Sequence, residues 1–177
     1  AETLVTQWTA DPSQVDARNE ARRILEQIAP QLSKHQQQLN AEVERLVDEL
    51  NEMPEGEVYD AKEKALQRLQ AVAGRATYFA GWANYYLGMV REPRDEQLFL
   101  AARDAFRQLL DIGQVPYADL DAEWLGLESV WRSRAMIVLG LAQAATCNAD
   151  ASRVCFQILK HPAVLPEIQD QAPYWYV

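Results

Sequence analysis

The sequence predicts an all-α protein built of antiparallel helical hairpins, with helices far longer than the usual three turns. Three observations carry the prediction. Ala65, Leu69, Val72, Ala76, Phe79, Ala83, Tyr86 and Val90 recur in unbroken steps of four and three, the spacing of a seam along which one helix packs on another. Seven glycines and eight prolines fall mainly between such patterns. The period-2 alternation of a half-buried strand is absent.

From the N-terminus, residues 1–9 are expected to hold the tail of a helix with Leu4, Val5 and Trp8 facing inward. Asp11-Pro12 reads as a restart, since aspartate caps helices and proline is tolerated at the first helical position. Ala17, Ala21, Ile24, Leu25 and Ile28 give the next face, and Pro30 is expected to end or kink it. Leu32, Leu39, Val43, Leu46, Leu50 and Met53 form a further heptad-like face with Gln36 as a polar break, and Pro54-Glu55-Gly56 supplies a turn. Segments 31–53 and 57–91 are therefore expected to fold back as an antiparallel hairpin in which Leu46 and Leu69 share an interface. Gly74 is the weak point of the second helix, because glycine costs about 1 kcal/mol against alanine in a helix interior. Leu25, Leu32, Leu39 and Leu46 are seven apart, but Pro30 interrupts the run and a partner helix is available within the chain. Packing inside the molecule is thus expected in place of a dimerising zipper.

After a loop at 91–95, a helix is expected from about Glu96, with Leu98, Ala102, Ala105, Phe106 and Leu109 inward, ended by Gly113 and Pro116. Asp119 or Asp121 should cap a long helix reaching about Thr146, with a stripe of Trp124, Leu127, Trp131, Ala135, Val138, Ala142 and Ala145. A helix at about 150–160 carries Val154, Cys155, Ile158 and Leu159, and a short one starts at Pro166.

At 177 residues, 49% hydrophobic and 24% charged, the chain suits one helical domain over 1–177 with a core of its own. Within it, 12–91 is the long hairpin region, and 76–111 and 121–160 are helix pairs. The initial Ala1 and the end Ala-Pro-Tyr-Trp-Tyr-Val suggest a piece of a larger chain whose aromatic terminus docks. A formal charge of −9 without a basic stripe argues against nucleic acid as partner. No apolar run reaches a membrane span, no signal peptide is visible in residues 1–10, and the compartment stays open. Cys155 lies on an apolar helical face and reads as a buried free thiol, while Cys147 and Cys155 define no disulfide framework.

The sequence shows no catalytic or metal-ligand spacing. His35 and His161 are far apart, Cys155 has no evident histidine partner, and phosphate loops, nucleophile elbows and histidine–carboxylate motifs are missing. No cofactor is expected. The carboxylates Glu42, Glu44, Asp48 and Glu49 read as a solvated helix face, and Asp119, Asp121 and Glu123 as capping.

Two stretches do carry a pattern. Tyr85-Tyr86-Leu87-Gly88 is followed by Ala102-x-x-x-Phe106-x-x-Leu109, and Val138-Leu139-Gly140 by Ser152-x-x-x-Phe156-x-x-Leu159. They resemble the tetratricopeptide repeat, in which a Leu-Gly pair on helix A meets a small residue and an aromatic on helix B. Ala17, Ala21 and Ile24, followed by Pro30, look like the end of an earlier, degenerate repeat. The two Leu-Gly pairs lie farther apart than the family's period of about 34 residues, so the resemblance implies a divergent right-handed α-solenoid with long helices, of bacterial type. By motif alignment, the helix A face turned to the groove would hold Trp82, Tyr85 and Met89 in the first pair and Arg134, Ile137 and Leu141 in the second. Aromatic, Met and Arg side chains suit binding hot spots. The family's carboxylate clamp uses Lys and Asn on this face; no Lys is present here, so that mode is not implied.

The expectation is a non-enzymatic protein–protein interaction scaffold that takes a basic or neutral protein or peptide segment, with weak self-association. The alternative is a coiled-coil-like spacer or oligomerisation element.

Overall fold

A computed structural model describes the backbone of residues 1–175 and the side chains of residues 1–170; the expected docking of the aromatic terminus lies outside the described side chains. The described chain is all helical, without a strand: α1 (Glu2–Ala10), α2 (Val15–Asn51), α3 (Glu57–Val90), α4 (Glu96–Leu109), a 3-10 turn (Tyr117–Asp119), α5 (Val130–Ala145), α6 (Ala149–Ile158) and α7 (Pro166–Trp175). Successive helices pack on each other from α1 to α6, and α1 with α3 and α3 with α5 also touch.

The hairpin forms as expected. Lys62 pairs with Glu49 at 2.8 Å and Asn84 Nδ2 donates to Ser33 Oγ at 3.4 Å, fixing an antiparallel register that brackets Leu46 and Leu69. Two boundaries differ. Asp11 does not cap α2: its carboxylate accepts from the backbone N and hydroxyl of Ser13, closing a turn, and the helix begins at Val15. Nor does Pro30 end a helix, for α2 runs through it. Pro30 and Glu26 are both exposed, so water can satisfy the Glu26 carbonyl that proline leaves without its donor. The opposite face stays packed through Ala21, Leu25 and Ala29. Gln36, the polar break, donates to Gln108 of α4 at 3.1 Å.

The long stripe on α3 is a more substantial correction. Val72 and Phe79 are 51% and 49% exposed, so that stripe is not the packed seam. The helix instead presents three seams. Ala73, Ala80, Asn84 and Leu87 turn to α2; Gly74, Tyr78, Gly81, Tyr85 and Gly88 turn to α4; Arg68, Val72, Arg75, Phe79, Trp82 and Tyr86 run along the remaining side. A helix packed on two sides is apolar nearly all round, and periodicity alone cannot choose its face. Between Leu32 and Val72 only Leu50 is fully buried, because the distal hairpin has no third helix against it. Leu69 is half-buried, so its truncation falls below the cost of a full cavity.

Along the α3–α4 seam two glycines leave no room for a side chain. A Cβ on Gly81 would stand 2.7 Å from the Phe106 ring, and one on Gly88 2.9 Å from Phe99. Motif alignment pairs Gly88 with Phe106; the observed partners are instead Gly81–Phe106 and Gly88–Phe99, two contacts seven residues apart on each helix. Between the two helices runs the 91–95 connection, and Asp95 caps α4, its carboxylate accepting from Gln97 N. The second pair keeps the motif register: a Cβ on Gly140 would stand 2.8 Å from Phe156.

The long helix expected from Asp119 or Asp121 is also shorter than its pattern. Asp121 accepts from Glu123 N and Trp124 N, but Gly126 takes a φ of 62° and breaks the turn, so α5 starts at Val130. Arg132 holds the connecting segment by donating to the carbonyls of Leu125 and Leu110. Ile112, Ala122, Leu125 and Leu127 from this segment enter the core, whereas Trp124 and Trp131 are 52% and 49% exposed. The core lies around α3, α4, α5 and α6, with a smaller cluster where α1 and α2 meet α3.

Gly74→Ala should raise stability by about 0.5–1 kcal/mol, because its new Cβ would meet only Leu109 Cδ1 at 3.6 Å. Gly81→Ala should lower it, since roughly 1–3 kcal/mol of overpacking against Phe106 exceeds the same helical gain. Urea melts of the two variants read both signs.

Candidate functional site

Alternate helices contribute to one cleft of about 390 Å³. Glu2 comes from α1, Tyr78, Phe79, Trp82 and Tyr86 from α3, and Trp131, Arg134 and Ile137 from α5. The aromatics form a braced wall. Trp82 stacks on Tyr86 with centroids 4.9 Å apart, and Tyr78 meets Trp131 edge-on at 4.8 Å, which ties α3 to α5. Phe79 meets Trp131 at 6.4 Å. Such T-shaped and offset pairs add to the burial of the rings.

Polar groups sit at the rim. The Tyr86 hydroxyl donates to Glu2 Oε1 at 3.4 Å, and burial, reinforced by the Glu2 charge, pushes its phenol above the ordinary range. Burial also raises Tyr78, opposed by the Trp82 indole and by Arg134. Arg134 makes no salt bridge among the described residues. A second cavity of about 210 Å³ continues along α3, lined by Ala71, Gly74, Arg75, Tyr78, Leu109 and Trp131. Tyr78 and Trp131 form the ridge shared by both.

Of the six residues expected on a binding face, the cleft gathers Trp82, Arg134 and Ile137. Tyr85 goes elsewhere: it is 8% exposed, its ring lies 5.7 Å from Phe99, and burial pushes its phenol up to about 12. It belongs to the α4 seam, one residue in each helical turn away from the cleft side. Met89 and Leu141 are half-buried against the main core and do not line the cleft. Glu2, Tyr78, Phe79, Tyr86 and Trp131 were not foreseen there. Phe79, Tyr86 and Trp131 sit in apolar stripes, which the sequence presents as packed seams. The signal that distinguishes them is surplus: five aromatics between Tyr78 and Tyr86 exceed what two packed faces can bury.

Away from the cleft, Cys155 and Cys147 are free thiols, one buried and one exposed. Burial pushes Cys155 up to about 12. His161 Nδ1 accepts from Ala163 N at 3.2 Å, and His35 is exposed. The carboxylates on α2 sit on an open face where Glu42 and Glu49 hold Arg45. Among the described residues no group of three or more His, Cys, Asp or Glu could hold a metal ion, and no helix is long and apolar enough to cross a membrane.

No family model matches the chain, and no curated protein or solved structure matches it either.

Trp82 has rings of Tyr78, Tyr85, Tyr86 and Phe106 around it, so it is wall and core together. Trp82→Ala should cost about 2 kcal/mol or more. Phe79→Ala, at a ring half open to water, should stay within about 1 kcal/mol. Thermal melts compare the two.

The native thiols should also separate. Iodoacetamide at mildly alkaline pH should modify Cys147 and reach Cys155 only on unfolding. Cys155 and Tyr85 hold their protons more tightly folded than unfolded. The stability they carry is full below the unfolded cysteine pKa of about 8.5 and is lost as pH climbs toward about 12. Denaturant midpoints falling over that window measure it.

Proposed function

We propose that this chain is a non-enzymatic protein–protein interaction module, its helices stacked as a divergent tetratricopeptide-like α-solenoid, which captures a partner segment in the cleft between α1, α3 and α5. One observation carries the reading: Phe79 and Trp131 stand half open beside Arg134 in a cleft with a rigid aromatic wall. Apolar rings held open to water are a standing cost that a docked partner removes, and aromatic and Arg side chains gain most from such desolvation. The alternation of α1, α3 and α5 on the cleft side, with α4 and α6 behind them, supports the solenoid reading, as do the Gly–Phe contacts in both helix pairs. The net charge of −9 favours protein over nucleic acid as the partner.

A random peptide library displayed on phage and selected on the immobilised protein tests this. Enriched peptides should share a consensus, and Phe79→Ala and Trp131→Ala should each weaken them about tenfold, some 1.4 kcal/mol. Failure to enrich any consensus, or binding indifferent to both variants, would reject the reading.

A second reading, an oligomerisation element, draws on Val58 and Val72, 65% and 51% exposed on the distal hairpin. Sedimentation equilibrium showing a dimer that Val72→Asp dissolves would favour it.

A further inference from the structure

We infer that the segment this surface receives is an acidic amphipathic helix, laid along α3 with its apolar ridge on Val72 and Phe79 and its carboxylates against Arg68, Arg75 and Arg134. The inference rests on the docking reading above and adds the chemistry of what docks.

The third seam of α3 is the first ground. Arg68, Val72, Arg75, Phe79, Trp82 and Tyr86 follow one another in steps of four and three, on the side that neither α2 nor α4 covers. The first four are exposed. Over about 27 Å this side offers the periodicity that a second helix matches, apolar positions alternating with cationic ones. The two cavities astride Tyr78 and Trp131 lie along the same line and receive bulky side chains.

Charge is the second ground. Arg22, Arg23, Arg45, Arg91 and Arg103 each hold a carboxylate within salt-bridge distance, and Arg107 and Arg132 donate to backbone carbonyls; Arg94, in the 91–95 loop, is the other arginine without such a partner among the described residues. Arg68, Arg75 and Arg134 make no salt bridge among the described residues, and all three are exposed. In a chain of net charge −9, three guanidinium groups without a carboxylate partner beside one apolar strip reverse the local sign. The partner's complementary charge is negative, opposite to what the overall charge suggests. Glu2 is the carboxylate lining the cleft, and it already accepts from Tyr86. A second copy of this chain fits poorly, because a two-fold contact on this face would set Arg68 and Arg75 against the same arginines.

The probes are two fluorescein-labelled peptides of about 18 residues, long enough to span the seam. Both carry leucine at three- and four-residue spacing; one has glutamate at the flanking positions and the other lysine. Anisotropy should show the glutamate peptide bound about tenfold more tightly. Raising salt from about 0.01 M to about 1 M, which shortens the Debye length from about 30 Å to about 3 Å, should erase most of the preference. The double variant R68E/R75E should invert it with an unchanged melting temperature. Equal binding of the two peptides, or a preference that survives R68E/R75E, overturns the inference. If library peptides of other character bind and lose affinity in Trp131→Ala, the cleft still docks a partner and only its proposed chemistry is wrong; if nothing binds, both readings fall. A dimer dissolved by R68E/R75E or by Phe79→Asp would give the face to a second copy and likewise overturn the inference.

Discussion

The packing of α3 on α4 and of α5 on α6, on which the core and the cleft depend, is spaced by the entry of a phenylalanine ring into a glycine gap. Gly81 with Phe106, Gly88 with Phe99 and Gly140 with Phe156 are contacts in which even a methyl group would collide with the ring. They bring helix axes closer than larger side chains allow, and they fix rotation as well as distance. Once Gly81 and Gly88 point at α4, the 100° step between residues settles where every other side chain of α3 goes. Leu87 and Ala83 fall toward α2 and α1; Phe79, Trp82 and Tyr86 fall on the third side. The α3 wall of the cleft is thus a geometric consequence of the glycine register.

That coupling explains why the cleft wall is rigid though open. Tyr78 belongs to two structures at once: its ring lies 6.0 Å from Phe106 in the core and 4.8 Å from Trp131 in the cleft. A ring anchored on the core side loses little freedom when a ligand arrives, which lowers the entropic cost of binding. The outer rings, Phe79 and Trp131, lack that anchor and contribute area instead. The site therefore joins a fixed wall of Tyr78, Trp82 and Tyr86 on α3 to more open rings, Phe79 on α3 and Trp131 on α5.

The sequence was legible wherever one face of a helix met one neighbour. The turn at Pro54–Gly56, the helix starts near Glu96 and Ala149, and the Phe156–Gly140 contact follow from local chemistry and a motif with the right spacing. It misled where a helix had more than one neighbour. The stripe from Ala65 to Val90 is real as a pattern, yet it lies on the border between the α2 side and the open side: Val72 and Val90, five full turns apart, share one angle, but Ala83 and Val90 pack into the cluster of α1 and α2 residues whereas Val72 and Phe79 are left exposed. Pro30 misled for another reason: its cost is a lost donor, and exposure lets water replace it. Three of the six residues aligned to the groove reach the cleft. Tyr85 misses because it lies three residues before Gly88, on the face that Gly88 turns to Phe99.

The distal hairpin shows what happens when the glycine register gives out. Beyond Gly74 no helix lies against the α4 side of α3, and α2 and α3 face each other with a single fully buried residue, Leu50, between Leu32 and Val72. Helices this long draw their stability from packing rather than from propensity, so this arm is held by a thin seam of half-buried leucines and by surface pairs such as Lys62–Glu49, which add little. Local opening should accordingly be cheapest there. The same thinness leaves Val72, Arg68 and Arg75 uncovered. A partner helix along that side would supply the third neighbour that α4 supplies farther on, extending the three-helix packing of the core out along the arm. Docking and ordering of the arm would then be one event, and affinity would depend on how well the arm is formed beforehand.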